Sequence, residues 1–303
     1  MSKKKARSNA IKMSGSTIAF NVLGYIILGF FALLCLLPFV FLVSASFSSE
    51  RSIAVEGFSL LPREFSAEAY KLLFRHPDDI WRAYGVSSLV TVIGSGIGLT
   101  ITTMTAYVLS RRYLKYRYQI TFFFYFTTLF SGGLLSMYIL FVRYLGLKNN
   151  YLALILPMLV NVFYLLIMRS FISSIPDSIF ESAKIDGAGE MTIFWRLVLP
   201  LSTSALATIG LFLVLDYWND WYNAMLYISD YKKFPLQYML YNLLSASEAL
   251  SRLSRTANLT VVQVPSRAVR MAMTVIATGP ILLVYPFVQR YFVKGVTLGA
   301  VKG

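Results

Sequence analysis

Long uncharged stretches alternate along the chain with short charged ones. Six windows, 13–49, 83–110, 118–142, 149–168, 197–215 and 271–289, contain no Asp, Glu, Lys or Arg. A helix rising 1.5 Å per residue needs roughly 20 such residues to cross a hydrocarbon layer about 30 Å thick. Four windows reach that length, and the last two, one residue shorter, reach it with flanking aromatic residues. The pattern predicts an all-α, polytopic membrane protein with six transmembrane helices. Between the windows, 50–82 carries Pro62, six acidic and five basic residues and reads as soluble in character. A second long segment, 216–270, opens on an aromatic cluster and continues as a loop over 226–270. Within it Tyr238 to Leu244 has the spacing of an amphipathic helix.

Composition supports the same architecture. Hydrophobic residues make up 57% and charged ones 14%, against roughly 45–50% and about 25% in soluble domains. Mean hydropathy is +0.63. The net charge of +14 would point to nucleic acid in a soluble protein, but its distribution points to membrane orientation. The segments 1–12, 111–117, 169–196 and 290–303 together carry net +11, and the alternate segments net +3. The positive-inside rule therefore places both termini in the cytoplasm. The most basic short loop is Arg111 to Arg117, with four basic residues in seven. Lys3, Lys4, Lys5, Arg7 and Lys12 precede an apolar run too long for a cleavable signal peptide, so a retained signal anchor is expected. The expected layout is a cytoplasmic basic N-terminus over 1–16, a six-helix transmembrane domain over 17–293 and a cytoplasmic tail over 294–303. A multi-pass location in a membrane is expected, in contact with lipid and not with nucleic acid.

Several chemistries find no residues to support them. No G-x-x-x-x-G-K-[ST] phosphate loop occurs. Gly94-Ser95-Gly96-Ile97-Gly98 lies inside the second window with no strand before it, and reads as a close helix contact. With one His (His76) and one Cys (Cys35, expected as a small core residue), no transition-metal site can be assembled. No catalytic residue, cofactor or metal is expected in this chain. A secondary transporter would keep ionisable groups in its spans and show internal repeats, and neither is present. A membrane enzyme would have only Asp216 and Asp220 as a carboxylate pair near a membrane face.

The segment 176–200 reads as helix, turn, helix. Pro176 suits a first helical turn. Ser178-Ile179-Phe180-Glu181 matches a capping box. Gly187 and Gly189 allow positive φ and end the first helix. Met191 to Val198 forms the second, and Pro200 opens the fifth span. Small residues (Ala183, Gly187, Ala188, Gly189) leave room for a partner to approach, and Glu181 and Asp186 offer acceptors to an Arg or Lys. An ordinary hairpin would share this composition.

The order of these residues adds more. Glu181-Ser182-Ala183, then Asp186-Gly187-Ala188, then Leu199-Pro200 resembles the EAA loop of bacterial ABC-importer permeases of the type I kind. Ser182 stands where that family usually has Ala. The Asp-Gly-Ala form resembles the carbohydrate branch, similar to the second membrane subunit of the maltose importer and to oligosaccharide permeases of Gram-positive bacteria. Phe130 to Leu134, Trp218-Asn219-Asp220-Trp221, and the stretch from Tyr285 to Gly303 resemble the same group. The resemblance implies that Glu181, Ser182, Ala183, Asp186, Gly187, Ala188, Leu199 and Pro200 seat in a separate ATPase subunit. It implies that Gly299, Lys302 and Gly303 of the tail contact the ATPases. The implied partners are a second homologous permease, an ABC ATPase dimer that binds ATP and Mg, and an extracellular solute-binding protein. The implied substrate is an oligosaccharide.

For a substrate path the residues offer alternatives. Ser131, Gly132 and Gly133 fall at the middle of the 118–142 window, where exposed backbone is tolerated only against protein or a water-filled cavity. They suit tight packing or a cavity wall, as do Asn161 and Tyr164. Trp218, Asn219, Asp220, Trp221 and Tyr222 suit an interface belt, or a surface where aromatics stack on sugar rings at i, i+3 and i+4 spacing. An uncharged path lined by Ser, Thr, Asn, Tyr and Trp fits a neutral polyhydroxylated molecule. Lacking a phosphate loop, the chain purified alone should show no ATP hydrolysis above background in a phosphate-release assay; robust turnover would overturn the reading.

Overall fold

The structure, a computed structural model, describes residues 14–257 and 267–282. It is all-α, and its only β feature among the described residues is an isolated bridge between Ser48 and Phe65. In chain order the helices are α1 (Gly15–Ser46), α2 (Glu50–Glu56), α3 (Glu68–Leu73), α4 (Pro77–Ser110), α5 (Arg117–Leu129), α6 (Gly133–Ile139), α7 (Leu152–Ile155), α8 (Val162–Ser173), α9 (Asp177–Ile185), α10 (Glu190–Ile193), α11 (Leu199–Leu201), α12 (Thr203–Asn219), α13 (Tyr222–Tyr227) and α14 (Leu236–Ala257). Residues 267–282 form α15. Helix α14 contains the stretch Tyr238 to Leu244 expected to be helical. Two short π turns, Leu140–Tyr144 and Phe194–Val198, extend α6 and α10.

Among the described residues two single helices, α1 and α4, are long and apolar enough to cross a membrane. Three of the predicted spans are bent pairs. Arg117–Leu129 and Gly133–Tyr144 meet at 109°, Leu152–Met158 and Val162–Ser173 at 51°, and Glu190–Leu201 and Thr203–Asn219 at 83°. An uncharged window reports length and polarity but not continuity, so these breaks were invisible to it. Each has a local cause. Ser131-Gly132-Gly133 interrupts the first, and the Gly133 φ of 79° lies outside the helical region. At the second, Pro157 lacks an N–H and Asn161 caps the following helix, its Oδ1 accepting from Phe163 N at 2.9 Å. At the third, Pro200 precedes Ser202, where α12 starts in a new direction. The sixth window lies within the described residues only as far as Leu282.

Helix α4 is the axis of the bundle. Pro77 at its start and Asp78 and Asp79 in its first turn suit a helix N-terminus. Its Val86, Val90, Ala106, Tyr107 and Leu109 are buried, and it packs chiefly against α12 and α8. The main core cluster joins its C-terminal half to Leu165, Met168 and Ile172 of α8, Phe180 of α9 and Ile209 and Leu213 of α12. Two small residues permit the approach. A Cβ added at Gly94 would lie 2.5 Å from the Tyr217 ring, and one at Gly98 would lie 3.1 Å from the Leu159 carbonyl. The glycine-rich stretch is thus a helix contact.

Helix α1 differs from the rest. Nearly all its side chains are exposed, and only Ser44, Ala45 and Ser46 at its end are buried. There Ser46 Oγ pairs with Tyr70 OH at 2.9 Å and Ser44 Oγ donates to Ser59 O at 2.8 Å. Cys35, expected in a core, is exposed on this helix. The segment 50–82 is helical in part: Ile53 of α2 and Ala69 of α3 pack on Ala268, Val269 and Ala272 of α15.

The Tyr217 ring cannot yield readily, because its hydroxyl is bonded at 2.8 Å to Ile155 O. Gly94→Ala should therefore destabilise the fold by about 1–3 kcal/mol, the usual cost of overpacking, while Gly96→Ala, with nothing within 4 Å, should not. Melting of the detergent-purified protein checks this.

Candidate functional site

Helix α9 presents two faces. Phe180 is buried and Ala183 packs beside it on the main core cluster. Glu181, Ser182, Lys184, Ile185, Asp186 and Gly187 are exposed, Ile185 at 85%. The helix closes with Asp186 at the C-cap and Gly187 at φ +78°. Gly187 N donates to Lys184 O at 3.0 Å and Ala188 N to Ala183 O at 2.9 Å, the paired bonds of a Schellman cap. Ala188 is thereby returned to the core, and the space around Gly187 stays open. Two local expectations fail. Gly189 has φ −74° and is extended, so only Gly187 needs positive φ. Ser178 is not an N-cap, because the helix begins at Asp177 after Pro176; its carbonyl accepts from Ser182 Oγ at 2.9 Å.

Beneath α9 lies a polar junction with the end of α4. Arg111 is 6% exposed. Its guanidinium sits 3.6 Å from the Phe180 ring centroid and 5.0 Å from that of Tyr107. Tyr107 OH donates to Glu190 Oε2 at 2.5 Å, and Lys184 Nζ pairs with Glu190 Oε1 at 2.9 Å. Arg112 Nε reaches Asp177 Oδ2 at 3.2 Å on the exposed rim. A groove of about 270 Å³ opens here, lined by residues that include Tyr113, Glu181 and Lys184. Burial raises the Glu190 carboxyl pKa, but bonds from Tyr107, Lys184 and Tyr113 outweigh it and hold it below the ordinary 4.5. The hydrogen bond to Glu190 raises Lys184 above its ordinary 10.5. The junction's Glu190 contribution is complete above the unfolded carboxylate pKa and is lost as pH falls through the lowered folded one. The Lys184 contribution is lost only as pH rises through its raised value.

Leu199 and Pro200 begin the kinked stretch that leads into α12. They are some distance along the chain from α9, with Leu199 packed on the core and Pro200 exposed. Gly299, Lys302 and Gly303 lie outside the described residues.

The structure separates the expected path residues. Ser131, Gly132 and Gly133 form the exposed break between α5 and α6, where Ser131 Oγ accepts from Gly133 N at 3.2 Å. Asn161 is a helix cap. Tyr164 OH donates to Asp216 Oδ2 at 2.8 Å and its ring stacks on Phe212. Trp218 is buried beside Ala83, Leu236 and Met273, with its Nε1 donating to Ala277 O at 3.1 Å. Asn219 Oδ1 accepts weakly from Gln237. Asp220, whose pKa burial raises, accepts from Asn223 N and Nδ2 at 3.1 and 3.0 Å. Trp221 and Tyr222 are exposed, and Trp221 stacks on Tyr241 at 4.3 Å. The expected i, i+3 and i+4 register is broken, because α12 ends at Asn219 and α13 begins at Tyr222. Sequence reasoning gave no site role to Arg111, Tyr107, Glu190, Ile185 and Asp216, though it named Arg111 for its charge and Asp216 for its carboxylate. The i, i+4 spacing of Tyr107 and Arg111 was a signal for the first two; nothing marked Glu190.

Residues 98–298 match the family described as binding-protein-dependent transport system inner membrane component. The chain is 42% identical over 285 residues to the polygalacturonan/rhamnogalacturonan transport system permease protein YtcP of Bacillus subtilis, covering 94% of this chain and 98% of that one. It is 29% identical over 280 residues to the trehalose/maltose transport system permease protein MalG of Thermococcus litoralis, covering 90% and 93%. A solved chain of a bacterial ABC transporter involved in import of the acidic polysaccharide alginate superposes with a TM-score of 0.76 at 31% identity, covering 92% of this chain and 99% of that one.

The two tryptophans should part company under substitution. Trp218→Ala removes a buried ring and its hydrogen bond, and should cost about 3–5 kcal/mol and sharply lower the yield of folded protein. Trp221→Ala should leave yield within about twofold. Equal losses in size-exclusion recovery would contradict this placement.

Proposed function

The chain belongs to the binding-protein-dependent transport system inner membrane components, and on that premise we propose that it is the permease subunit of an ABC importer for an oligosaccharide. It is a membrane component and not an enzyme; ATP hydrolysis lies in a separate ATPase subunit. The proposed topology has six spans with both termini in the cytoplasm, in a bacterial plasma membrane. Five spans correspond to α1, α4 and the three bent pairs, and the sixth to the 271–289 window. The proposed assembly contains a second homologous permease, two ATPase domains that bind ATP and Mg, and an extracellular binding protein that delivers substrate.

The observation that carries this reading is the two-faced geometry of α9. Its buried face fixes it to the bundle, and the other offers Glu181, Ser182, Ile185, Asp186 and Gly187 to a partner. In the proposed mechanism this face seats on the ATPase, Leu199 and Pro200 link the seat to α12, and the tail residues Gly299, Lys302 and Gly303 add a second contact. The exposed break at Ser131 to Gly133, with Asn161, Tyr164, Trp221 and Tyr222, lines the path; Asn219 and Asp220 sit at its edge. Trp218 supports it from within the core.

The names of the relatives support a carbohydrate. An acidic oligosaccharide is a second reading, favoured by the 31% identity to a chain of an alginate importer over the neutral molecule that the uncharged windows suggest.

Gly187→Arg, which fills the open space beside the cap, should reduce ATPase co-purified with the chain by more than tenfold and abolish uptake. Ile185→Asp should do the same, and Ile185→Leu should not. Normal co-purification and uptake in the first two would overturn the coupling role. In proteoliposomes, neutral and uronate-containing oligosaccharides should be taken up only with external binding protein and internal ATP. Uptake of amino acids or ions, with no response to any sugar, would remove the carbohydrate reading.

A further inference from the structure

Arg111 is a buried cation with no carboxylate partner among the described residues. Its guanidinium hydrogen bonds among them go to Ser110 Oγ, at 3.1 and 3.0 Å. Desolvating a guanidinium is expensive unless it is compensated, and an aliphatic side chain would fill the same space more cheaply. The compensation here comes from two ring faces. One, Tyr107, belongs to α4; the other, Phe180, belongs to the buried side of α9. Glu190 adds a second tie, because it accepts from Tyr107 of α4 and pairs with Lys184 of α9.

We infer that Arg111 is a positioning residue that clamps α9 rigidly to the end of α4, so that displacement of α9 is carried into the bundle through α4. This rests on the coupling role proposed for α9. Helix α4 is suited to carry the motion. It spans 34 residues without a break, touches the interruption before α8 through Gly98 at the Leu159 carbonyl, and meets Tyr217 of α12 at Gly94. The covalent route from α9 passes instead through the short turn at 174–176 on one side and the kink at Ser202 on the other. The exposed Arg112–Asp177 ion pair is no substitute, since a solvent-exposed pair is screened by water and salt and contributes little.

The test uses the assembled transporter, with its ATPase, partner permease and binding protein, in proteoliposomes. Arg111→Gln, and separately Phe180→Leu, which keeps apolar bulk without a ring face, should retain ATPase within about twofold and continue to hydrolyse ATP. Uptake per ATP should fall about tenfold. A covalent bridge replaces the clamp: Arg112→Cys with Asp177→Cys, joined by a short bifunctional thiol reagent in a Cys35→Ser background that removes the one native thiol. Bridging should leave uptake unchanged when Arg111 is intact and restore most of it in Arg111→Gln.

Unaltered uptake per ATP in both single variants would overturn the proposal. So would inhibition by the bridge with Arg111 intact, which would show that α9 moves across the end of α4. Loss of ATPase from Arg111→Gln would also overturn it, by making Arg111 part of the seat. Gly187→Arg, run alongside, separates the two ideas. Unaltered uptake in that variant removes the coupling role of α9. Its loss, with normal coupling in Arg111→Gln and Phe180→Leu, removes only the clamp.

Discussion

In an apolar layer a helix can be interrupted only if the backbone groups it releases find other partners, and in this chain that requirement is met around one close approach. Leu159 N–H bonds to Leu156 O, three residues back instead of four, and this leaves the Ile155 carbonyl for the hydroxyl of Tyr217. Tyr217 reaches it because its ring lies where a side chain on residue 94 would be. Asn161 then caps the restarted helix. A missing methyl group on α4 thus permits a ring position on α12, which satisfies a carbonyl beside the interruption before α8. The bend of 51° there is a packed feature of the bundle.

The same logic explains why the polar groups of the bundle are so often used locally. Ser95, Thr100 and Thr103 of α4 each return their hydroxyl to a carbonyl four residues back, a bond that satisfies the hydroxyl within the helix at a slight cost in helix geometry. Other polar groups join elements: Tyr164 of α8 and Asp216 of α12 satisfy each other. At the α9 end three such ties lie close together: Tyr107 to Glu190, Glu190 to Lys184, Arg112 to Asp177.

Hydropathy made the helical architecture legible, because the absence of charge over 19 or more residues is a property of composition alone. The turn at Gly187 was legible too, since a Schellman cap leaves a short local signature. What stayed hidden depends on residues far apart in sequence. Trp218 reads as an interfacial aromatic until Ala83 and Met273 are found around it. Arg111 reads as one of four basic residues in a charged loop until Phe180, 69 positions away, covers it. The interruption at 130–132 was half visible: its glycines marked a weak point, but not the 109° change of direction. Side-chain spacing likewise misled at 218–222, where the register was counted through a helix end.

Helix α1 buries only Ser44 to Ser46 against the rest of the described structure. Its 32 residues measure about 48 Å at 1.5 Å each, well beyond a hydrocarbon thickness of about 30 Å. A helix with such positive mismatch tilts or thickens the bilayer around it. Most of the α1 shaft is exposed among the described residues, whereas α4 is packed along its length on α8 and α12. A change of tilt in α1 therefore disturbs fewer buried side chains than the same change in α4 would.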